Sequence, residues 1–165
     1  MSSVPAESER VGNELPEAGE LEELVEQALD TARAEGADAA EAGASVADGL
    51  SVSVRSDEIE TVEYQRDRSL SVTVFLGQRT GSAATSDFRE QAVRDTVAAA
   101  CRIARFTEAD PYAGLAAAER MATYLPDLDL YHPWGLSVDD AVERALACER
   151  AARAEPRITN SEGAS

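Results

Sequence analysis

The chain has 165 residues, with 15 basic against 32 acidic side chains and a net charge of −17. It is long enough for one sizeable core or two small ones, and a charge of that sign repels phosphate backbones and anionic lipid headgroups, which argues against a nucleic-acid or membrane surface. Every basic residue is arginine, so the lysine needed by a Walker A loop, a Schiff-base enzyme or a pyridoxal site is missing, and the single histidine, His132, leaves no two-histidine zinc motif.

No apolar stretch approaches the length of a membrane span, and Met1–Pro5 lacks the basic and apolar regions of a signal peptide, so a cytoplasmic protein is expected. Residues 1–19, rich in Pro, Ser and Glu, are expected to form a disordered leader. From Leu21 the pattern changes. Leu21, Leu24, Val25, Ala28, Leu29 and Ala32 recur on one helical face, Gly36 supplies a stop, and Glu22, Glu23, Glu26 and Asp30 make a solvated acidic face.

A run of short strands follows. Asp48-Gly49 between Ala42/Ala44/Val46 and Leu50/Val52/Val54 is the strongest hairpin signal in the chain, because Asp-Gly tolerates the positive φ of a type I′ turn. Further turns are expected at Ser56-Asp57-Glu58 and Asp67-Arg68-Ser69. Leu70/Val72/Val74/Leu76 alternates as a half-buried strand, and Gly77-Gln78-Arg79 leads into a last strand of small residues, Thr80–Thr85, that would let a neighbour approach closely. Glu60 and Glu63 fall on opposite faces of a strand, which disfavours a paired-carboxylate site and favours cross-strand pairing with Arg55 or Arg66.

Asp87 and Glu90 have capping-box spacing ahead of a helix whose stripe is Val93, Val97, Ala100, Cys101 and Ala104. Asp110-Pro111 is a break, Leu115–Ala122 a candidate short helix, and YLPDLDLYHPW a proline-punctuated loop anchored by Leu128, Leu130, Tyr131 and Trp134. His132 near Asp127 and Asp129 has the composition of a catalytic dyad, and a self-sufficient hydrolase using His132 with Asp129 and a serine is an alternative, but with no companion histidine or cysteine in a known geometry a solvated or capping histidine is the preferred reading. Ser137 caps a last helix with Asp139 and Asp140 in its first turn, ended by Pro156. Cys101 and Cys148, each flanked by alanine, read as buried reduced thiols, with a disulfide as the alternative. Arg157–Asn160 begins to read as a strand with nothing after it to pair with, so partial order is expected beyond Pro156 and the sequence reads as a piece of a longer protein.

Taken together, the residues predict an α+β fold: an antiparallel meander of about four to five strands flanked by helices, with the start of a second α/β unit. The expected divisions are a leader at 1–19, an α+β domain at 20–106, a linker at 107–136 and the opening of a second domain at 137–165. The segments GLSVSVRSDEIETVEYQRDRSLSVTVFLGQRTGSAATSDF, ARFTEADPYAGLA, PDLDLYHPW and RITNSEGAS, in that order, resemble the N-terminal third of the TldD/PmbA family, on its PmbA (TldE) branch.

That resemblance implies a cytosolic, metallopeptidase-related protein that pairs with a TldD-type subunit. The partner would bind zinc through a His-Glu-x-x-x-His helix and a cysteine, and the complex would cleave unfolded peptides, including peptide-antibiotic precursors and small antitoxins. The PmbA-type chain lacks the zinc motif, and no catalytic, cofactor or metal position of the family falls within these residues. The family's link to DNA gyrase implies an alternative, a non-enzymatic regulatory binding module whose acidic surface mimics nucleic acid at a basic partner.

Overall fold

The computed structural model describes residues 15–130, 132 and 134–165; most of the expected leader therefore lies outside the described residues. Among the described residues the element order is α1 (Ala18–Ala34), β1 (Ala39–Arg55), β2 (Glu58–Leu76), β3 (Arg79–Thr85), α2 (Glu90–Phe106), a 3-10 turn (Ala118–Arg120) and α3 (Val138–Arg153). The three strands form one antiparallel-type meander in the order β1-β2-β3, with β2 and β3 antiparallel. The fold class is thus α+β, with three strands among the described residues where four to five were expected.

The missing strands were merged rather than lost. Asp48 and Gly49 lie inside β1, and Asp67–Ser69 inside β2. A two-residue turn at Asp48-Gly49 would set Ala47 opposite Leu50 and Val46 opposite Ser51, on shared faces. Ala44 and Val46 would then face with Ser51 and Ser53, opposite to Leu50, Val52 and Val54. The apolar positions 40, 42, 44, 46, 50, 52 and 54 keep one parity throughout, which only an unbroken strand satisfies. The chain turns at Ser56 and Asp57, where a turn was also expected, and their φ values of 56° and 70° are the pair a type I′ turn requires. Neither residue is glycine, so Ser56→Gly is expected to stabilise the protein by about 0.5–1 kcal/mol in denaturant unfolding, by relieving the left-handed conformation.

The chain divides into two compact units. The first comprises Met1–Ala47 and Asp67–Ala116. Its core joins Leu24, Ala28 and Ala32 of α1, Leu70, Val72 and Val74 of β2, and Val93, Val97, Ala100, Cys101 and Ala104 of α2. The α2 stripe is therefore the one its spacing predicts. Gly36 ends α1 at φ 87°, and the Ala37 N–H returns to the Ala32 carbonyl, closing a Schellman motif. The register sets Val74 opposite Gly81. A Cβ at Gly81 would stand 2.2 Å from the Ala100 carbonyl oxygen and 2.4 Å from the Ala104 nitrogen, so α2 lies backbone-close on β3 as the small residues there suggested.

The expected capping box at Asp87 and Glu90 does not form. Helix α2 starts at Glu90, with Arg89 as an N-cap that makes no side-chain cap bond. The Asp87 carboxylate accepts from the Arg89 guanidinium and, at 3.0 Å, from the Arg89 backbone N–H, and these bonds, the guanidinium's first, hold it well below the usual carboxylate range.

The second unit comprises Asp48–Arg66 and Ala117–Ser165. Val52, Val54 and Ala145 are its buried core, with Leu50, Ala141, Val142, Leu146 and Ala164 packed against them. The Ser137 hydroxyl accepts from the Asp140 N–H at 3.1 Å and Asp140 accepts in return from the Ser137 N–H, a complete capping box. The short helix expected over Leu115–Ala122 is only the 3-10 turn. The tail, expected to be partly ordered, is paired: Val54 and Ala164 exchange backbone hydrogen bonds at 2.9 and 3.0 Å as an antiparallel bridge.

Candidate functional site

His132 is exposed and makes no hydrogen bond or ion pair with another described residue. Asp127 is engaged elsewhere, accepting the Asp129 N–H at 2.9 Å across a local turn in which Asp129 has φ 47°. A general base needs a proton donor within hydrogen-bond reach and a group that orients it, and His132 has neither among the described residues. The structure does not assemble the dyad.

The acidic residues are dispersed as well. Glu22, Glu23, Glu26 and Asp30 are exposed along α1, and Asp30 is paired with Arg33 at 2.6 Å. Glu60 and Glu63 are exposed on β2, and Arg55, one of the two arginines expected to pair with them, lies 3.7 Å from Glu162. Cys101 is buried in the first core, where desolvation raises its thiol pKa, whereas Cys148 is exposed, contrary to the reading of both as buried; both are free thiols. Among the described residues no three His, Cys, Asp or Glu side chains converge as a metal site. A zinc ion of the kind the family resemblance implies needs at least three converging protein ligands, and these residues do not fit one.

What the second unit does assemble is a carboxylate clamp that sequence reading missed. Glu149 is 2% exposed. Its Oε1 accepts the Ser56 N–H at 2.9 Å and its Oε2 the Asp57 N–H at 3.0 Å, so both oxygens are spent on the tip of the β1–β2 hairpin. The bond from Asp57, then that from Ser56, lowers its pKa against opposing desolvation, with smaller help from the Ser161 hydroxyl and Arg153. Arg150, next on α3, donates from Nε to Asp57 Oδ1 at 2.5 Å. Ser161 Oγ accepts the Gly163 N–H at 3.0 Å, just before the bridge at Ala164. One buried carboxylate thus fastens hairpin, helix and tail. A signal was present: Glu149 continues the spacing of Val142, Ala145 and Leu146, an acid on the apolar face of α3.

The remaining candidate surfaces are apolar. Leu128, Leu130 and Trp134, expected to pack down as anchors, are instead exposed, as are Tyr124 and Leu125; Tyr131 lies outside the described residues. The Trp134 ring carries the Arg144 guanidinium 5.3 Å from its centroid. In the first unit, Leu21, Glu22, Val25 and Glu26 of α1 and Ala44 of β1 line an open cavity of about 350 Å³.

This meander with its packed helices corresponds to a described domain: the family profile "PmbA/TldA metallopeptidase domain 1" matches residues 40–104. The metalloprotease PmbA of Escherichia coli O157:H7 is 47% identical over 146 residues, covering 88% of this chain and 32% of that protein. The chain belongs to the PmbA/TldD family. A PmbA homologue of Haemophilus influenzae is 46% identical over 147 residues, again covering 88% of this chain and 32% of the relative.

The chain thus spans about a third of the length of these PmbA relatives. Two solved structures share the fold. A protein named as a modulator of DNA gyrase from Bacteroides thetaiotaomicron superposes with a TM-score of 0.73 at 24% identity, over 84% of this chain and 32% of that one. TldE from Thermococcus kodakarensis gives 0.58 at 17% identity, over 82% and 29%. As a PmbA/TldE-type protein the chain is metallopeptidase-related. No helix among the described residues is long and apolar enough to cross a membrane.

Proposed function

We propose that this chain is the first part of a PmbA/TldE-type subunit that works beside a zinc-bearing TldD-type protease in the cleavage of small or unfolded peptides in the cytoplasm, such as peptide-antibiotic precursors and antitoxins. The observation that carries this reading is the 47% identity to the PmbA metalloprotease across 88% of the chain. The exposed apolar side chains from Tyr124 to Trp134 support a role in contacts between proteins.

Co-expression of the full-length protein with a TldD-type chain is expected to give a stable complex containing zinc and cleaving an unfolded peptide, with neither zinc nor cleavage in the PmbA-type protein alone. A zinc-loaded, active PmbA-type protein on its own would reject the reading. Within that complex His132→Ala is expected to leave cleavage within about twofold of the parent, because an exposed imidazole lacking a base–acid geometry has no step to perform. A drop of a hundredfold would restore His132 as a catalytic residue.

A second reading, a non-enzymatic modulator of DNA gyrase, is favoured by the name of the Bacteroides neighbour and by the net charge of −17, which suits a basic, DNA-binding partner. Salt-sensitive binding to purified gyrase, in the absence of any TldD-type chain, would support it.

A further inference from the structure

The sheet of the first unit is narrower than the helical layer covering it. Two α-helices packed side by side span about 20 Å, close to the width of four strands spaced about 4.8 Å apart, and this unit has three. The shortfall lies on one side. Helix α2 is seated directly over β3, as the contacts at Gly81 show, and α1 packs against α2. Beside β1, Leu21 and Val25 of α1 stand half-buried around the 350 Å³ cavity whose sheet-side wall is Ala44.

The edge itself carries one exposed charge, Glu41, and little other protection. Edge strands are ordinarily protected by proline, lysine, inward charges or a covering element. Residues 39–47, AAEAGASVA, hold no proline and no basic residue, and six of the nine are alanine or glycine, so another backbone can come close. At the rim Glu22 and Glu26 stand one helical turn apart, a like-charge pair that destabilises a helix slightly and has no ion-pair partner among the described residues.

We propose that the β1 edge at Ala39–Ala47, with the groove under Leu21 and Val25, is a docking site for one extended strand, and that this strand comes from the part of a PmbA-type chain outside the third matched here. The two thirds of the E. coli relative that this chain does not span supply the length for it. The occupant pairs its backbone with β1, turns apolar side chains of alternate residues onto Leu21, Val25 and Ala44, and sets a cation near Glu22 and Glu26. The inference rests on family membership and not on the pairing with a TldD-type chain, and the test separates the two.

The probes are short overlapping peptides covering the region of E. coli O157:H7 PmbA outside the matched third, each added to this chain while amide exchange is followed at Ala39–Ala47. One contiguous set of peptides is expected to slow exchange there by about tenfold or more, and Val25→Glu, at the cavity wall and outside the buried core, is expected to abolish that protection while leaving the thermal transition in place. Leu21→Ala, a milder change in the same wall, is expected to weaken it. Protection by no peptide would overturn the proposal, as would protection equal in the parent and both variants. Protection by a TldD-type subunit alone would also overturn it while supporting the pairing, and protection that rises only with the concentration of this chain would assign the edge to a second copy of itself.

Discussion

Gly81→Val is expected to prevent the first unit from folding, and Gly81→Ala to cost about 3 kcal/mol or more. The reason is the identity of the atoms in the way. A Cβ at this position meets the Ala100 carbonyl oxygen and the Ala104 nitrogen and Cα, all of them helix backbone, so no side chain can swing aside. Helix α2 would have to lift off β3, and with it Val93, Val97 and Cys101 would leave Leu70, Val72 and Val74, the centre of the buried cluster. Gly43→Ala is the matched control, since its nearest neighbour is the Ser71 hydroxyl at 3.7 Å, an ordinary contact, and its stability should stay within about 0.5 kcal/mol. Denaturant unfolding of the pair reads both. Equal stability of the parent and Gly81→Ala would mean that α2 does not sit where the geometry places it.

The second large effect is expected at Glu149. In Glu149→Gln one of the two acceptor oxygens becomes an amide that presents hydrogens to the turn N–H groups, so one of the hydrogen bonds to Ser56 and Asp57 is lost. The thermal midpoint of the second unit should fall by about 5–10 °C, and the Ser56 and Asp57 amides should exchange at least tenfold faster in ~physiological buffer. The parent should also show an acid-sensitive step. Because the folded protein holds the Glu149 pKa below the ordinary glutamate value, its contribution is complete above that ordinary value and disappears as pH falls through the lowered one. Glu149→Gln should lack this component, so the stability difference from the parent narrows on acidification. A constant difference down to acid pH would show that the charge of Glu149 contributes nothing to the clamp.

These two residues also mark how far the sequence could be read. Gly81 was legible as part of a small-residue strand approached by a neighbour, and the stripes of α1 and α2 were legible because period and burial coincide. The turn at Ser56-Asp57 was legible, but an extra one was read at Asp48-Gly49 because Asp-Gly is a strong local signal, and parity, the longer-range signal, overruled it: an alternation that keeps phase across a proposed two-residue turn contradicts that turn. The capping box at Asp87 failed by the same kind of local competition, since Arg89 offers the carboxylate a nearer partner than the helix end. At Tyr124–Trp134 the inference from apolar residues to burial did not hold, because it presumes that the chain provides the surface they bury against. Glu149 could be recognised as unusual from its place in an apolar stripe, but its partners lie 93 and 92 positions away and no local pattern names them.

That separation bears on the order of assembly. The second unit is made of Asp48–Arg66 and Ala117–Ser165, so the last fifty residues of the first unit are strung between its halves. During synthesis the hairpin tip emerges long before α3 exists, and its turn N–H groups wait for Glu149, as Val54 waits for Ala164. Contacts of high sequence separation carry a loop-closure cost and form late. The first unit also joins α1 to α2 across a long separation, but its β2, β3 and α2 are consecutive and all of it precedes α3 in the chain. Folding should therefore run in two steps, an early one that builds the sheet and its helices and a later one gated by the arrival of α3, and only the later one should slow when Glu149 is changed.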